Sequence, residues 1–260
     1  MILEGKTVLV SGVGPGLGGE VARIAFRDGA NVLVGARGAE RLEALAQEID
    51  PSGKRVVARP LDITDADSCS AFVATAEERF GAADALVQVA ALDTLFGNLD
   101  STTAVDWQNA IGVNVVGTLQ LVRAAVPAMK RRGGGSVVLI GSQSYRLPPP
   151  SKQLAYASSK GALMSAMYHL ASELGPDHIR VNTVVPTWMW GPPVQAYVRW
   201  QAKERGVPED SIVAEITSRM PLGEIPADED VAEAIAFFCS DRSRMITAQS
   251  IAVDAGEVMG

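Results

Sequence analysis

The segment that most constrains this chain lies near its start, where Lys6-Thr7-Val8-Leu9-Val10-Ser11 runs directly into Gly12-Val13-Gly14-Pro15-Gly16-Leu17-Gly18-Gly19. The first six residues read as a short buried strand, and the residues after the glycines read as helix to about Asp28. Strand, glycine-rich turn and helix in that order make a phosphate cradle. Missing Cβ atoms let the backbone approach a pyrophosphate, and the helix N-terminus offers free N–H groups. Two registers fit the glycines: Gly14, Gly16 and Gly19 match GxGxxG, while Gly12, Gly16 and Gly18 match GxxxGxG. Either spacing alone is weak; its position between a first strand and a first helix gives it force.

The alternation then repeats. Asn31 to Ala36 is a second strand, Ala39 to Ile49 an amphipathic helix ended by Asp50-Pro51, and Arg55 to Arg59 a third strand. Asp65 to Phe80 reads as helix, Ala85 to Ala90 as strand, Thr103 to Met129 as one long helical region, and Ser136 to Ile140 as strand. A helix to about Leu174, a strand from Ile179 to Val184, a helix from Asp228 to Cys239 and a closing strand at Ile251 to Asp254 complete the series. Strands alternating with helices of this length imply right-handed βαβ units. The expected architecture is α/β: a single Rossmann-type, doubly wound domain over residues 1–260, with a mostly parallel seven-stranded sheet and helices on both faces. A content of 47% hydrophobic residues in 260 suffices for one full core, and scarce aromatics (5%) suit helices packed closely on a buried sheet.

A net charge of −7 with no basic run argues against nucleic acid as a partner. Lys130-Arg131-Arg132 before Gly133-Gly134-Gly135 reads as cations at a helix C-terminus followed by a glycine stop. Cys69 and Cys239 stand far apart and no metal-spaced cluster occurs, so no metal site is expected. The first strand begins almost at once, which is read as leaving no room for a signal peptide, and no apolar run is expected to span a membrane. A cytoplasmic protein is the expectation.

After the second strand, where a dinucleotide-binding fold carries an acid for the ribose hydroxyls, the chain has Ala36 and then Arg37. A guanidinium suits a 2′-phosphate, so Arg37 favours NADP; NAD stays open, since Arg37 also reads as a solvated residue before the next helix. Ser142 lies just past the C-terminal end of the fifth strand, where open α/β sheets bind ligands, and so faces the same crevice as the glycine turn. Tyr156 and Lys160 are four residues apart, about one helical turn, and share a face. An ammonium beside a phenol stabilises the phenolate and is expected to lower its pKa toward neutrality, fitting it for proton exchange with an alcohol or carbonyl. Asn114, amid apolar residues, is either a satisfied buried polar group or a positioned hydrogen-bonding group. His169 and His178 read as structural, and Met164 and Met167 as core filler. Pro186-Thr187-Trp188-Met189-Trp190-Gly191-Pro192-Pro193 and the helical stretch to about Ile225, interrupted at Gly206 and Pro208, read as a substrate lid over about 187–225, or else as a subunit contact.

Together these residues resemble the short-chain dehydrogenase/reductase family over nearly the whole chain. The matching pieces run in order from Ser11-Gly12 through Gly16-Leu17-Gly18, Leu61-Asp62-Ile63, Asn114, Ser142, Tyr156/Lys160 and Val181-Asn182 to Pro186, ending with Ile246-Thr247 to Asp254. The resemblance implies an NAD(P)-dependent oxidoreductase interconverting an alcohol and a ketone or aldehyde. Tyr156 would be the general acid or base, Ser142 would hold the reacting oxygen, and Lys160 would bind the nicotinamide ribose. Asn114 would hold a water linking Lys160 to solvent. Cofactor contacts would come from Gly12, Pro15, Gly16, Leu17, Gly18, Arg37, Asp62, Ile63, Ala90, Tyr156, Lys160, Pro186 and Met189. The resemblance also implies a homo-oligomer, a tetramer, acting on a small molecule, and Trp188, Trp190, Tyr197 and Trp200 point to an apolar or ring-bearing one.

The chain departs from the family pattern in places. Asn-Asn-Ala-Gly appears as Gln88-Val89-Ala90-Ala91, Pro-Gly as Pro186-Thr187, the Thr near position 191 as Gly191, and the basic residue of the glycine turn as Pro15. The alternative from another class is a non-catalytic sensor or scaffold that binds a nicotinamide dinucleotide. A reductase of fatty-acid synthesis would meet an acidic carrier protein through basic residues such as Arg131 and Arg132.

Overall fold

Successive side chains of each central strand divide between two cores, one on each face of the sheet. In β1 (Thr7–Ser11), Val8 and Val10 enter one cluster and Leu9 the other. The same split recurs in β2 (Asn31–Ala36), with Val32 and Val34 against Leu33, and in β4 (Ala85–Gln88), with Ala85 and Val87 against Leu86. A period of two with apolar residues on both faces requires helices above and below. The structure, a computed structural model describing residues 1–259, supplies them. Helices α1 (Leu17–Arg27), α2 (Ala39–Ile49) and, late in the chain, α9 (Asp228–Cys239) cover the first face. Helices α3 (Ala66–Phe80), α5 (Thr118–Arg132) and α6 (Leu154–Leu174) cover the second.

The remaining strands are β3 (Val56–Pro60), β5 (Gly135–Ile140), β6 (Ile179–Pro186) and β7 (Ser250–Val253). The seven strands lie in the order β3-β2-β1-β4-β5-β6-β7, and every pairing is parallel. The order reverses between β1 and β4, so a crevice opens there beyond the carboxyl ends. The sheet thus agrees with the expected doubly wound fold and is wholly parallel.

Several boundaries differ from expectation. β4 stops at Gln88 because the Val89 and Ala90 amides both turn to the Ser11 carbonyl, at 3.1 and 3.2 Å. The long helical region is three pieces: α4 (Ala104–Ile111), a π-helical turn at Gly112–Gly117, and α5. Taken together, Ala104–Arg132 is long and apolar enough to cross a membrane by length and composition, contrary to the sequence expectation. Here Leu121, Val122, Ala125 and Met129 on it are buried against the sheet and its neighbours.

The α5 terminus follows expectation, with Gly133 in a left-handed conformation (φ 84°). Its three cations each meet an acid: Lys130 with Asp177, Arg131 with Glu77 and Arg132 with Asp84. Between β6 and α9 the chain forms α7 (Pro192–Arg205) and α8 (Glu209–Thr217), broken at Gly206 (φ 64°) and Pro208. Val198, Ala202 and Ile212 give this pair a small core of its own. Cys69 and Cys239 are buried and free, and among the described residues no cluster could hold a metal ion.

Candidate active site

The glycine turn is as tight as its spacing implies. Gly12 has φ +79°, and a Cβ there would lie 2.2 Å from the Ala90 nitrogen. A Cβ on Gly18 would lie 2.4 Å from the Gly12 oxygen, and one on Gly19 would lie 2.5 Å from the Gly14 oxygen. Glycines from both sequence registers are therefore required by contact. Gly16 is the N-cap of α1 with no side-chain cap, leaving first-turn amides available to an anion, while Leu17 is buried and Pro15 exposed. A Gly12→Ala variant combines left-handed strain of about 1–2 kcal/mol with a clash into Ala90. Its expected phenotype is a lowered melting temperature and at least ~10-fold weaker dinucleotide binding by fluorescence titration.

Beside the turn lies a cavity of about 560 Å³ lined by Gly12, Arg37, Asp62, Ile63 and Ala90, all expected from sequence, and also by Arg41 and Asp93, which were not. Arg37 is exposed, and neither it nor Arg41 makes an ion pair within 4 Å among the described residues. Asp62 accepts from the Thr64 hydroxyl (2.7 Å) and amide (2.9 Å). Those bonds hold its carboxyl below the usual range, burial opposes them, and the Arg37 charge adds to them. Leu61-Asp62-Ile63 follows β3 at the carboxyl edge, so the sheet carries the acid and the cation to one rim.

Pro186, buried, and Met189, half-buried, stand at and beyond the end of β6 and do not line this cavity. A Cβ at Gly191 would lie 2.4 Å from the Asp228 Oδ2, so a larger residue there would make that carboxylate shift, and a Cβ at Gly16 would lie 3.6 Å from the same oxygen. The Asp228 carboxylate occupies the volume a larger residue would need. Burial, and secondarily Glu20, push its pKa up.

The four candidate catalytic residues converge beyond the carboxyl ends of β4 and β5. Ser142 follows Ile140-Gly141 at the end of β5, and its side chain is hydrogen-bonded to Tyr156 near the start of α6. Lys160, 3% exposed, donates from Nζ to the Ile140 carbonyl at 2.7 Å and lies 5.6 Å from the Tyr156 ring centroid. The expected lowering of the phenol pKa is not what this arrangement gives. Burial pushes Tyr156 up to about 12, the Ser142 bond opposes that, and the Asp93 charge adds to it. Burial lowers Lys160 to about 8, with Asp93 opposing. The helical spacing puts both side chains on one face, but the ammonium is drawn to a strand carbonyl, and desolvation is the largest influence on the phenol.

Asn114 sits in the π turn and is 1% exposed. Its Oδ1 accepts from the Leu92 amide (2.7 Å), and its Nδ2 donates to the Leu92 carbonyl (3.1 Å) and the Ser159 hydroxyl (2.9 Å). Ser159 in turn donates to the Tyr156 carbonyl at 2.6 Å. The amide is thus both satisfied and positioned. It ties the loop after β4 to α6. Gln88, standing where the family has Asn, continues the network: it accepts from the Ser11 hydroxyl and donates to Ala90 O (3.2 Å) and Thr118 Oγ1 (3.1 Å).

Ser159, Arg41 and Asp93 were missed by sequence reasoning, as was Gln153, the N-cap of α6, which donates to the Asp93 carbonyl. Arg41, four residues after Arg37 on a predicted helix, carried a usable signal; the others acquire meaning only from partners distant in sequence.

Comparison with known proteins follows the same outline. A family profile described as enoyl-(acyl carrier protein) reductase matches residues 12–257. The chain is 33% identical over 260 residues to an L-rhamnose 1-dehydrogenase (NAD(P)(+)) of Azotobacter vinelandii, covering 98% of each. Its structure superposes on a glucose/ribitol dehydrogenase from Brucella melitensis with a TM-score of 0.86 at 28% identity, covering 100% of this chain and 99% of that one. It superposes on an actinorhodin polyketide ketoreductase with NADPH at a TM-score of 0.87 and 28% identity, covering 97% of each.

Proposed function

The chain belongs to the short-chain dehydrogenase/reductase family and is an oxidoreductase of CH–OH and C=O groups, and from that premise we propose that it interconverts an alcohol and a ketone or aldehyde through Ser142, Tyr156 and Lys160, with Asn114 as their positioning residue. The observation that carries this reading is the hydrogen bond between the Ser142 and Tyr156 side chains, which joins the carboxyl end of β5 to the first turn of α6. Two hydroxyls so joined can hold one substrate oxygen, Ser142 by hydrogen bonding and Tyr156 by exchanging its proton. With its pKa at about 12, the phenol keeps that proton at neutral pH, the form that protonates a carbonyl oxygen. One of the three Lys160 donors is held by Ile140, which leaves two for a ribose hydroxyl and the phenol.

A nicotinamide dinucleotide, when bound, supplies or accepts the hydride. Gly12, Pro15, Gly16, Leu17 and Gly18 would hold its pyrophosphate, Asp62, Ile63 and Ala90 its adenosine, and Pro186 and Met189 its nicotinamide end. Arg37, joined by Arg41, would take the 2′-phosphate of NADP, since both guanidinium groups lack an ion-pair partner among the described residues. Replacing Arg37 with Ala is expected to weaken NADPH binding about 10- to 100-fold in a fluorescence titration and leave NADH unchanged. Equal loss for both would remove the NADP preference.

The wider reading is of one domain with residues 187–225 as a substrate lid, a homotetramer, and a cytoplasmic place consistent with two free thiols. The functional test is consumption of NADPH against a panel of ketones and aldehydes, with Tyr156→Phe as the control. Turnover that depends on Tyr156 supports an enzyme; dinucleotide binding with no such turnover would favour a sensor.

A further inference from the structure

The loop after β4 is fastened to the catalytic helix at several points. Leu92 is gripped at both its amide and its carbonyl by Asn114. Asp93 offers its carbonyl to Gln153 Nε2 at 2.8 Å, and Gly97 pairs with Gln153, accepting from the Leu154 amide at 3.1 Å. Gln153 is the N-cap of α6, three residues before Tyr156. The backbone of Asp93 is thereby fixed against both the π turn and the helix that carries the phenol.

Its carboxylate is exposed, lines the cavity, and makes no hydrogen bond or ion pair among the described residues. A fixed negative charge here opposes formation of the phenolate, since it holds protons on both Tyr156 and Lys160. It contributes nothing to the fold through side-chain bonding. A carboxylate so placed can accept hydrogen bonds and attract cations, and it repels anions. Beyond the end of β6, Trp188, Tyr197 and Trp200 meet one another at tilted angles, with 5.2 and 6.1 Å between centroids, and none of them lines this cavity.

We propose that Asp93 is a specificity-determining residue that selects substrates bearing a hydrogen-bond donor beside the reacting carbon. Two sources share that chemistry: the neighbouring hydroxyl of a cyclic polyol, and the ammonium of an amino alcohol. Anionic hydroxy acids are rejected. This rests on the oxidoreductase reading above and narrows its substrate class.

The test compares kcat/KM for oxidation of a cyclic vicinal diol, the matching amino alcohol, the plain cyclic alcohol and a cyclic hydroxy acid, in wild type, Asp93→Asn and Asp93→Leu. Wild type is expected to prefer a donor-bearing substrate, and Asp93→Leu to shrink that preference about 10- to 100-fold through KM, the range for a hydrogen bond to a charged group. Asp93→Asn keeps an acceptor oxygen but not the charge, so it retains part of a hydroxyl preference and loses an ammonium preference. Both variants should move the alkaline rise of the oxidation rate to lower pH, because a charge that raises Tyr156 and Lys160 is gone. A merely structural Asp93 would not produce that shift. A preference for the plain alcohol in wild type, or an unchanged ratio in Asp93→Leu, overturns the proposal. Retention of more than about a tenth of wild-type kcat in Tyr156→Phe overturns the underlying reading instead.

Discussion

Replacing Tyr156 with Phe lowers kcat about 10³-fold in either direction and leaves dinucleotide affinity within about threefold of wild type. Phenylalanine keeps the ring and removes one hydroxyl, so the change isolates proton transfer. The Ser142 hydroxyl loses Tyr156 but still accepts from the Ser144 amide at 3.3 Å, so it stays in place to hydrogen-bond a substrate oxygen and some turnover is expected to remain. Steady-state kinetics on the best panel substrate and fluorescence titration of NADPH check the two halves separately. Retention of more than about a tenth of wild-type kcat would mean that another group moves the proton.

Lys160→Met is expected to reduce activity and increase stability together. Burial lowers the ammonium from 10.5 to about 8, so keeping it charged in the folded protein is costly. A base whose folded pKa is depressed carries that cost in full below the folded value. The cost fades as pH rises from about 8 to 10.5 and is gone above it. Methionine removes the cost but strands the Ile140 carbonyl, and the net gain is about 2 kcal/mol at pH 7, visible as a higher melting temperature.

The pH profile gives the catalytic half of the result. Tyr156 and Lys160 together hold two protons below about pH 8 and lose the first near there. In wild type, kcat/KM for oxidation is expected to climb through that pH. In the variant only the phenol is left to ionise, so the climb moves up by about two units or more, and activity at neutral pH falls about 10²-fold. An unmoved limb would assign the ionisation near pH 8 to some other group. A variant that is less stable at pH 7 would show that the buried cation holds the fold together.

Much of the molecule was legible because its signals are local. Asn31–Ala36 and Ala39–Ile49 begin and end where period and Asp50-Pro51 place them. The break between α7 and α8 falls at Gly206 and Pro208, as read. Gly12, Gly18 and Gly19 each turn out to face backbone atoms that forbid a Cβ, a constraint the spacing already carried. The misreadings share one cause. The continuous helix over Asn114 missed the π turn, whose purpose is visible only in partners at Leu92 and Ser159. The phenol was assigned the wrong direction of shift because an adjacent ammonium is a local fact, whereas burial is not.

By itself, then, the sequence determined the order of strands and helices, the phosphate cradle, and the shared face of Tyr156 and Lys160. These follow from dihedral preference, side-chain period and glycine sterics, all of which act over a few residues. Only the tertiary structure decided where the Lys160 ammonium rests, how tightly Tyr156 holds its proton, that the Asp228 carboxylate packs against Gly191, and that Asp93 faces the cavity. Desolvation and Coulomb forces act through space between atoms from different strands and helices, and the fold alone sets those distances.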